Sequence, residues 1–305
     1  MRHVLTLLDM STGQIEEIFA WTKQLKKQYL NGVRQPKFAG KVMALLFEKP
    51  SLRTRVSFET AFAQLQGSAM FLGPEVGWGH RESPEDFAKV LTDYVDVVVC
   101  RAKDHRKLEN LAKHAFCPVV NGLTDLYHPC QALADLFTLS ELRGNLEGAK
   151  IAFVGDSNNV AKSLAIACGR LNVAFAIASP AKYQFEHDFL KRLEEEFPRL
   201  RVTIDTDPRK VVRGADVVYT DVWASMGQEA EQAERKAAFA DYQVTAQVMA
   251  AAPGHARFLH CMPAHRGDEV AAEVIDGPQS EVIVQASNRM HLQKGLLAWL
   301  LLDHQ

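Results

Sequence analysis

The residues best suited to chemistry in this 305-residue chain sit in a few short segments, each at the end of an apolar run. Ser51-Leu52-Arg53-Thr54-Arg55 opens a helical pattern that continues through Phe58 and Phe62. A helix N-terminus presents backbone N–H groups without intrahelical acceptors, and its dipole favours negative charge. Ser51 and Thr54 add hydroxyl donors, and Arg53 adds a planar fork suited to phosphate oxygens. The chemistry on offer is anion binding; the plainer alternative is an N-capped surface helix with ordinary arginines. Arg101 directly follows the apolar run Val95 to Cys100. A charge there is costly unless the strand ends at a solvated cleft or a ligand. Tyr127-His128-Pro129-Cys130-Gln131 opens a further helix. In it His128 suits polarising a carbonyl or donating to phosphate, or simply capping the helix.

Two more segments end strands in the second half. Thr220-Asp221-Val222-Trp223-Ala224-Ser225-Met226-Gly227 places a carboxylate, a hydroxyl and a glycine-ended turn at a strand tip. That carboxylate suits a substrate ammonium, or an Asx-type turn. His260-Cys261-Met262-Pro263-Ala264-His265 brings a thiol and imidazoles together. Its spacing matches no common zinc pattern, so no metal is expected. Phe153-Val154-Gly155-Asp156-Ser157-Asn158-Asn159-Val160 invites a dinucleotide reading and fails it. The three-glycine fingerprint is represented by Gly155 alone, and the next strand ends Ala178-Ser179-Pro180 without an acid for a ribose. No cofactor is expected.

These segments need elements to position them. Ser11 and Gln14 read as a capping box for a helix that ends near Asn31-Gly32. Apolar runs at 42–47, 69–72, 95–100 and 118–120 alternate with helical segments near 51–66, 84–92 and 105–115. A second series at 151–154, 173–178, 202–204, 217–220 and 258–260 behaves the same way. Such alternation predicts an α/β protein of two domains, each a central parallel sheet flanked by helices. Roughly 150 residues per domain agrees with two. We place the boundaries at 1–144 and 145–285, with a last helix over about 288–302 in a 286–305 segment that packs back on the first domain. In parallel sheets ligands bind beyond the carboxyl ends of strands, where the segments above lie.

Composition narrows the partners. With 35 Lys+Arg against 37 Asp+Glu the formal charge is −2, so no global basic field exists to hold nucleic acid. The five cysteines form no CxxC pair and their number is odd, which argues against a disulfide framework and for a reducing cytoplasm. The late apolar run Leu296 to Leu302 falls far short of the roughly 20 residues that span a bilayer, and Asp9 interrupts any signal-like start, so no membrane association or export is expected.

Taken together the segments resemble the carbamoyltransferase family over nearly the whole chain. The family's phosphate signature S-T-R-T-R is similar to Ser51-Leu52-Arg53-Thr54-Arg55, its H-P-x-Q to His128-Pro129-Cys130-Gln131 and its H-C-L-P to His260-Cys261-Met262-Pro263. Its ornithine-binding D-x-W-x-S-M-G is similar to Asp221 through Gly227, and its E-N-R segment to Asn288-Arg289. The resemblance implies transfer of the carbamoyl group of carbamoyl phosphate to the side-chain amine of L-ornithine, giving L-citrulline and phosphate. Another amine acceptor, such as acetylornithine or putrescine, and a catalytically silent relative are the competing expectations.

By resemblance, Ser51, Leu52, Arg53 and Thr54 hold the phosphate, with Arg101, His128 and Gln131 around it; Arg289 and the Cys261-Met262 backbone hold the carbamoyl group. Asn159, Asp221, Ser225 and Met226 bind the amino-acid end of ornithine, while Cys261 and Asp221 position its amine. Arg53, Thr54, Arg101, His128, Asp221 and Cys261 are thus the expected catalytic set, in a homotrimer or a multiple of trimers with sites between subunits. Three positions depart from the pattern: Leu52 replaces a threonine, Gly77 stands where relatives often carry Gln or His reaching a neighbouring subunit, and Ser287 replaces a glutamate before Arg289. His80 or Arg81 is the expected substitute in the Gly77 loop.

Overall fold

The computed structural model describes residues 2–224 and 229–302. Strands β1 (Val42–Phe47), β2 (Ser68–Leu72), β3 (Val97–Arg101), β4 (Val119–Leu123), β5 (Lys150–Val154), β6 (Ala174–Ala178), β7 (Val202–Asp205), β8 (Val217–Thr220) and β9 (Arg257–His260) form two all-parallel sheets, ordered β2-β1-β3-β4 and β7-β6-β5-β8-β9. The longer helices are α1 (Thr12–Leu30), α2 (Leu52–Ala63), α3 (Pro84–Tyr94), α4 (His105–His114), α5 (Pro129–Arg143), α6 (Asn159–Arg170) and α7 (His187–Glu196). The short α8 (Pro208–Val211), α9 (Gln232–Ala238), α10 (Ala246–Ala251) and α11 (Ala272–Ile275) precede the long α12 (Val282–Leu302). Parallel strands covered by helices are buried on both faces, which explains why Val97 to Cys100 and Ile151 to Val154 are continuous apolar runs at 0% exposure.

Contacts divide the chain into two compact units. Unit 1 holds residues up to Ala134 together with those from Asn288 onward; unit 2 runs from Asp135 to Ser287. In unit 1 the strand order reverses between β1 and β3, and in unit 2 between β5 and β8. Those are the topological switch points at which open parallel sheets leave a crevice beyond their strand ends. The segments singled out from sequence follow these four strands, together with β4 and β9.

The last helix is longer than expected, starting at Val282 rather than near 288. Its inward residues include Gln285, Asn288, Arg289, His291, Gln293 and Lys294, all at most 5% exposed, so a count of apolar positions misses its first turns. In unit 1 it lies against α1: Lys26 Nζ donates to Asn288 Oδ1 at 2.7 Å and Trp299 Nε1 to Glu17 Oε2 at 2.8 Å. Gly295 makes the closest approach, where an added Cβ would stand 2.7 Å from Thr22 N and 2.9 Å from Thr22 Cα. Backbone cannot yield as a side-chain tip can. We predict that Gly295→Ala destabilises the protein by about 1–3 kcal/mol through overpacking, despite alanine's better helix propensity. A denaturation midpoint equal to or above the parent's would show that α12 is free to back away.

Candidate active site

In unit 1 the β1–α2 turn is built around Thr54, which is 1% exposed. Ser51 caps α2, its Oγ accepting the Thr54 N–H at 3.3 Å and lying 3.0 Å from Thr54 Oγ1. The same Thr54 oxygen accepts Arg101 Nη1 at 3.3 Å and Arg289 Nη2 at 3.2 Å. Arg101 reaches it because the register pairs Phe47 with Arg101, so β3 ends beside the start of the turn. Arg289 arrives on α12. Ser287 is exposed, and Thr54 is one of the contacts of this arginine.

Two buried guanidinium groups at one hydroxyl are mutually repulsive, and an anion placed among them relieves that repulsion. His128, 5% exposed at the start of α5, records the same field. Burial, then Arg289 and Arg101, hold its imidazole well below the usual histidine range, so at neutral pH it is an uncharged ring with one N–H to donate. Gln131 follows at 0% exposure in the first turn of α5. Arg53 is half-buried and forms no ion pair among the described residues, whereas Leu52 is 74% exposed.

Sequence reading missed the bonds that tie together the β4–α5 turn leading into His128. Asn121 Nδ2 donates to Leu5 O at 2.9 Å and to Thr124 Oγ1 and Tyr127 O at 3.4 Å, while Cys130 Sγ donates to Asn121 O at 3.5 Å. The register slips between Cys100 and Arg101, leaving Gly122 out of the ladder, and a Cβ on Gly122 would press on Cys100 O at 3.2 Å and Val99 Cγ1 at 3.3 Å. The only available signal was an Asn-Gly pair at a strand's end.

In unit 2 the register pairs Thr220 with His260, so Asp221 and Cys261 are the next residues along adjacent parallel strands. Cys261 Sγ donates to Asp221 Oδ1 at 3.0 Å. Asp221 Oδ2 accepts from Asn158 Nδ2 at 2.8 Å, and Asn158 Oδ1 accepts the Val160 and Ala161 N–H groups at 2.9 and 3.1 Å. Capping α6 therefore dictates which end of the Asn158 amide faces the carboxylate. Of the two adjacent asparagines, Asn159 was the one expected to act; it is half-buried at the first position of α6, and Asn158 makes the bond to Asp221. Ser225 and Met226 lie outside the described residues. Just before them, Trp223 O accepts from Arg235 Nη1 at 3.1 Å, and that nitrogen also reaches Asp156 Oδ2 at 2.8 Å.

Met262 has φ +57°, a left-handed conformation that a side chain adopts only when held. Its N–H donates to His260 Nδ1 at 2.9 Å, and His260 Nε2 lies 3.2 Å from Glu269 Oε1. Asp221, His260 and Cys261 offer ligand atoms within 4.8 Å of one another. Both imidazole nitrogens of His260 are, however, engaged inside the chain, so the ring serves the loop and fits a metal poorly.

The arrangement in each unit has counterparts in known proteins. A family model described as the aspartate/ornithine carbamoyltransferase carbamoyl-P binding domain matches residues 2–141, and the model of the family's Asp/Orn binding domain matches residues 147–300. An ornithine carbamoyltransferase of Bacillus subtilis is 48% identical over 303 residues, covering 98% of this chain and 94% of that protein. One from Chromobacterium violaceum is 46% identical over 100% of this chain and 98% of its own length. Among solved structures, ornithine carbamoyltransferase from Pyrococcus furiosus superposes with a TM-score of 0.96 at 43% identity, covering 100% of this chain and 98% of that one. With both halves matched and identity this high across the whole length, the chain belongs to the aspartate/ornithine carbamoyltransferase family.

Proposed function

We propose that the protein transfers the carbamoyl group of carbamoyl phosphate to the side-chain amine of L-ornithine, giving L-citrulline and phosphate. The observation that carries this reading is the pair of buried guanidiniums, Arg101 and Arg289, donating to Thr54 Oγ1 at the capped start of α2. It is a place prepared for a compact anion. The relatives, each named an ornithine carbamoyltransferase, point to the acceptor.

In this reading Ser51, the Leu52 N–H, Arg53 and Thr54 bind the phosphate, with Arg101, His128 and Gln131 beside it. Arg289 and the Cys261-Met262 backbone bind the carbamoyl group. Residues 1–144 with the 286–305 segment serve carbamoyl phosphate, and 145–285 serve ornithine; the descriptions of the two family models support this division. Asn159, Asp221, Ser225 and Met226 take the amino-acid end of ornithine, and Asp221 with Cys261 orients its amine.

The neutral amine attacks the carbonyl carbon, a C–N bond forms, and the C–O bond to phosphate breaks. Charge that grows on the carbonyl oxygen meets donors from Thr54, Arg101 and the uncharged His128. The amine's free pKa is about 10.4, so the site must take up its neutral form; on attack the nitrogen becomes cationic, and the proton it then sheds goes to the leaving phosphate, the acceptor we assign. No covalent intermediate is needed, and orientation supplies much of the acceleration.

We further propose a homotrimer, or a multiple of trimers, working in the cytoplasm. Leu52 and Val56 on α2 and Met70 on the edge strand β2 are 74%, 48% and 43% exposed, apolar side chains suited to self-association. The four buried cysteine thiols fit a reducing compartment. Gly77 has φ +71°, and a Cβ there would stand 2.7 Å from Arg81 Cγ and Cδ, so this loop is shaped around glycine with Arg81 folded over it. Arg81 is therefore our candidate for the residue offered to a neighbouring subunit. Unchanged carbamoyl phosphate affinity in Arg81→Ala would remove it from that role.

The decisive assay is citrulline and phosphate release with carbamoyl phosphate and, separately, L-ornithine, N-acetylornithine, putrescine and L-aspartate. Ornithine alone should support turnover; activity only with another amine would keep the phosphate site and discard the acceptor. Arg53→Ala should lose at least about a hundredfold in kcat, because a phosphate-paired guanidinium in a water-poor site is worth several kcal/mol. Asp221→Asn should raise the KM for ornithine far more than that for carbamoyl phosphate, and equal changes would contradict the assignment. Light scattering should return a multiple of three times 34.0 kDa, and Val56→Glu should lower it; a monomeric parent would end the trimer proposal.

A further inference from the structure

Asp135, Tyr219 and Gln285, at 0%, 0% and 1% exposure, form a closed polar network in unit 2. Tyr219 OH donates to Asp135 Oδ2 at 3.1 Å, and Gln285 Nε2 donates to Asp135 Oδ1 at 2.6 Å and to the Tyr219 oxygen at 3.1 Å. The other end of the same amide, Gln285 Oε1, accepts the backbone N–H of His260 at 2.9 Å. The members come from α5, β8 and the first turn of α12, and they meet at the last residue of β9. From there the chain enters Cys261 and the left-handed Met262.

We infer that Gln285 is a positioning residue for carbamoyl transfer: its amide ties the His260 peptide to Asp135 and Tyr219, and thereby sets where Cys261 and Met262 stand. An amide is the one side chain of this length that both donates and accepts with no titrating proton. A carboxylate has no N–H for Asp135, and a methionine satisfies none of the partners. The kinetic part of this inference rests on the proposed function; the geometric part does not.

The groups facing the network are Asp135 on α5, Cys168 on α6 and Tyr219 on β8. Asp221 and Cys261 lie on the tip side, and His260 with Glu269 on the β9 side. Burial, and then Asp135, push the Tyr219 hydroxyl and the Cys168 thiol well up, so both stay protonated in the neutral range. Substituting Gln285→Glu introduces a new titrating group. Two buried carboxyls at hydrogen-bond distance share one proton, which raises the pKa of one of them. A folded-state carboxyl pKa above the unfolded value of about 4.3 makes the folded form the stronger proton binder. The variant's deficit is therefore small at low pH and grows as pH rises toward the raised pKa.

The test compares the parent, Gln285→Glu and Gln285→Met. We expect Gln285→Glu to retain most citrulline turnover at pH 6 and to lose about tenfold or more in kcat, relative to the parent, at pH 8.5 while its circular dichroism is unchanged. Gln285→Met should be impaired at both pH values. A Gln285→Glu profile parallel to the parent's, or parental kcat in Gln285→Met, overturns the inference. Should the Met variant not fold, the Glu variant at pH 6 carries the test. If the parent itself makes no citrulline, the functional reading has failed and the network is still tested by thermal midpoints. A deficit in Gln285→Glu that widens with pH supports it, and a constant one overturns it.

Discussion

The repulsion between two buried guanidiniums at a single hydroxyl is the constraint around which unit 1 is organised. Arg101 reaches Thr54 from a neighbouring strand, but Arg289 lies 235 positions away and depends on where α12 is seated along α1. Glycine at 295, the Lys26–Asn288 bond and the Trp299–Glu17 bond serve that seating. They lie far from Thr54 in sequence, yet they decide whether the second arginine reaches it. A contact such as Gly295 against Thr22 is thus part of the machinery, although it touches no ligand.

In unit 2 the equivalent constraint is register. Parallel pairing of Thr220 with His260 delivers a carboxylate and a thiol side by side without any loop having to find its partner. The costs fall on what comes next. Met262 must adopt a left-handed backbone, and the His260 imidazole spends both nitrogens holding it there. Asn158 plays a similar part at β5, where one amide closes a helix end and faces Asp221. One amide thus ties the cap of α6 to the carboxylate proposed to meet the substrate amine.

The parallel strands were legible because burial on both faces writes them as unbroken apolar runs, and the site segments were legible because they interrupt those runs with charge. Polar burial was not legible. Gln285 and Asn288 hide the start of α12 from an apolar count, and nothing in Asn158-Asn159 tells which amide turns inward, since that depends on φ at the cap and on the position of β8. Asn121 escaped for the same reason: its bonds to Leu5 and Tyr127 join segments whose proximity is a property of the folded sheet. Gly77 looked like a missing functional side chain in sequence, whereas its positive φ makes it a structural requirement of the loop.

The lowered pKa of His128 and the anion affinity proposed for unit 1 share a source in the two arginines. Burial first, and then Arg289 and Arg101, keep a proton off the imidazole, and in the proposed reading the same two arginines draw phosphate oxygens toward them. Had His128 been cationic, a third like charge would have been buried beside the two arginines. As a neutral ring it contributes a hydrogen-bond donor and adds nothing to their repulsion. In the proposed mechanism its contribution to a developing oxyanion comes from placement and dipole, which cost no reorganisation at the moment of reaction. Neutrality at this position is therefore a consequence of the arginines as well as a condition for packing them so closely.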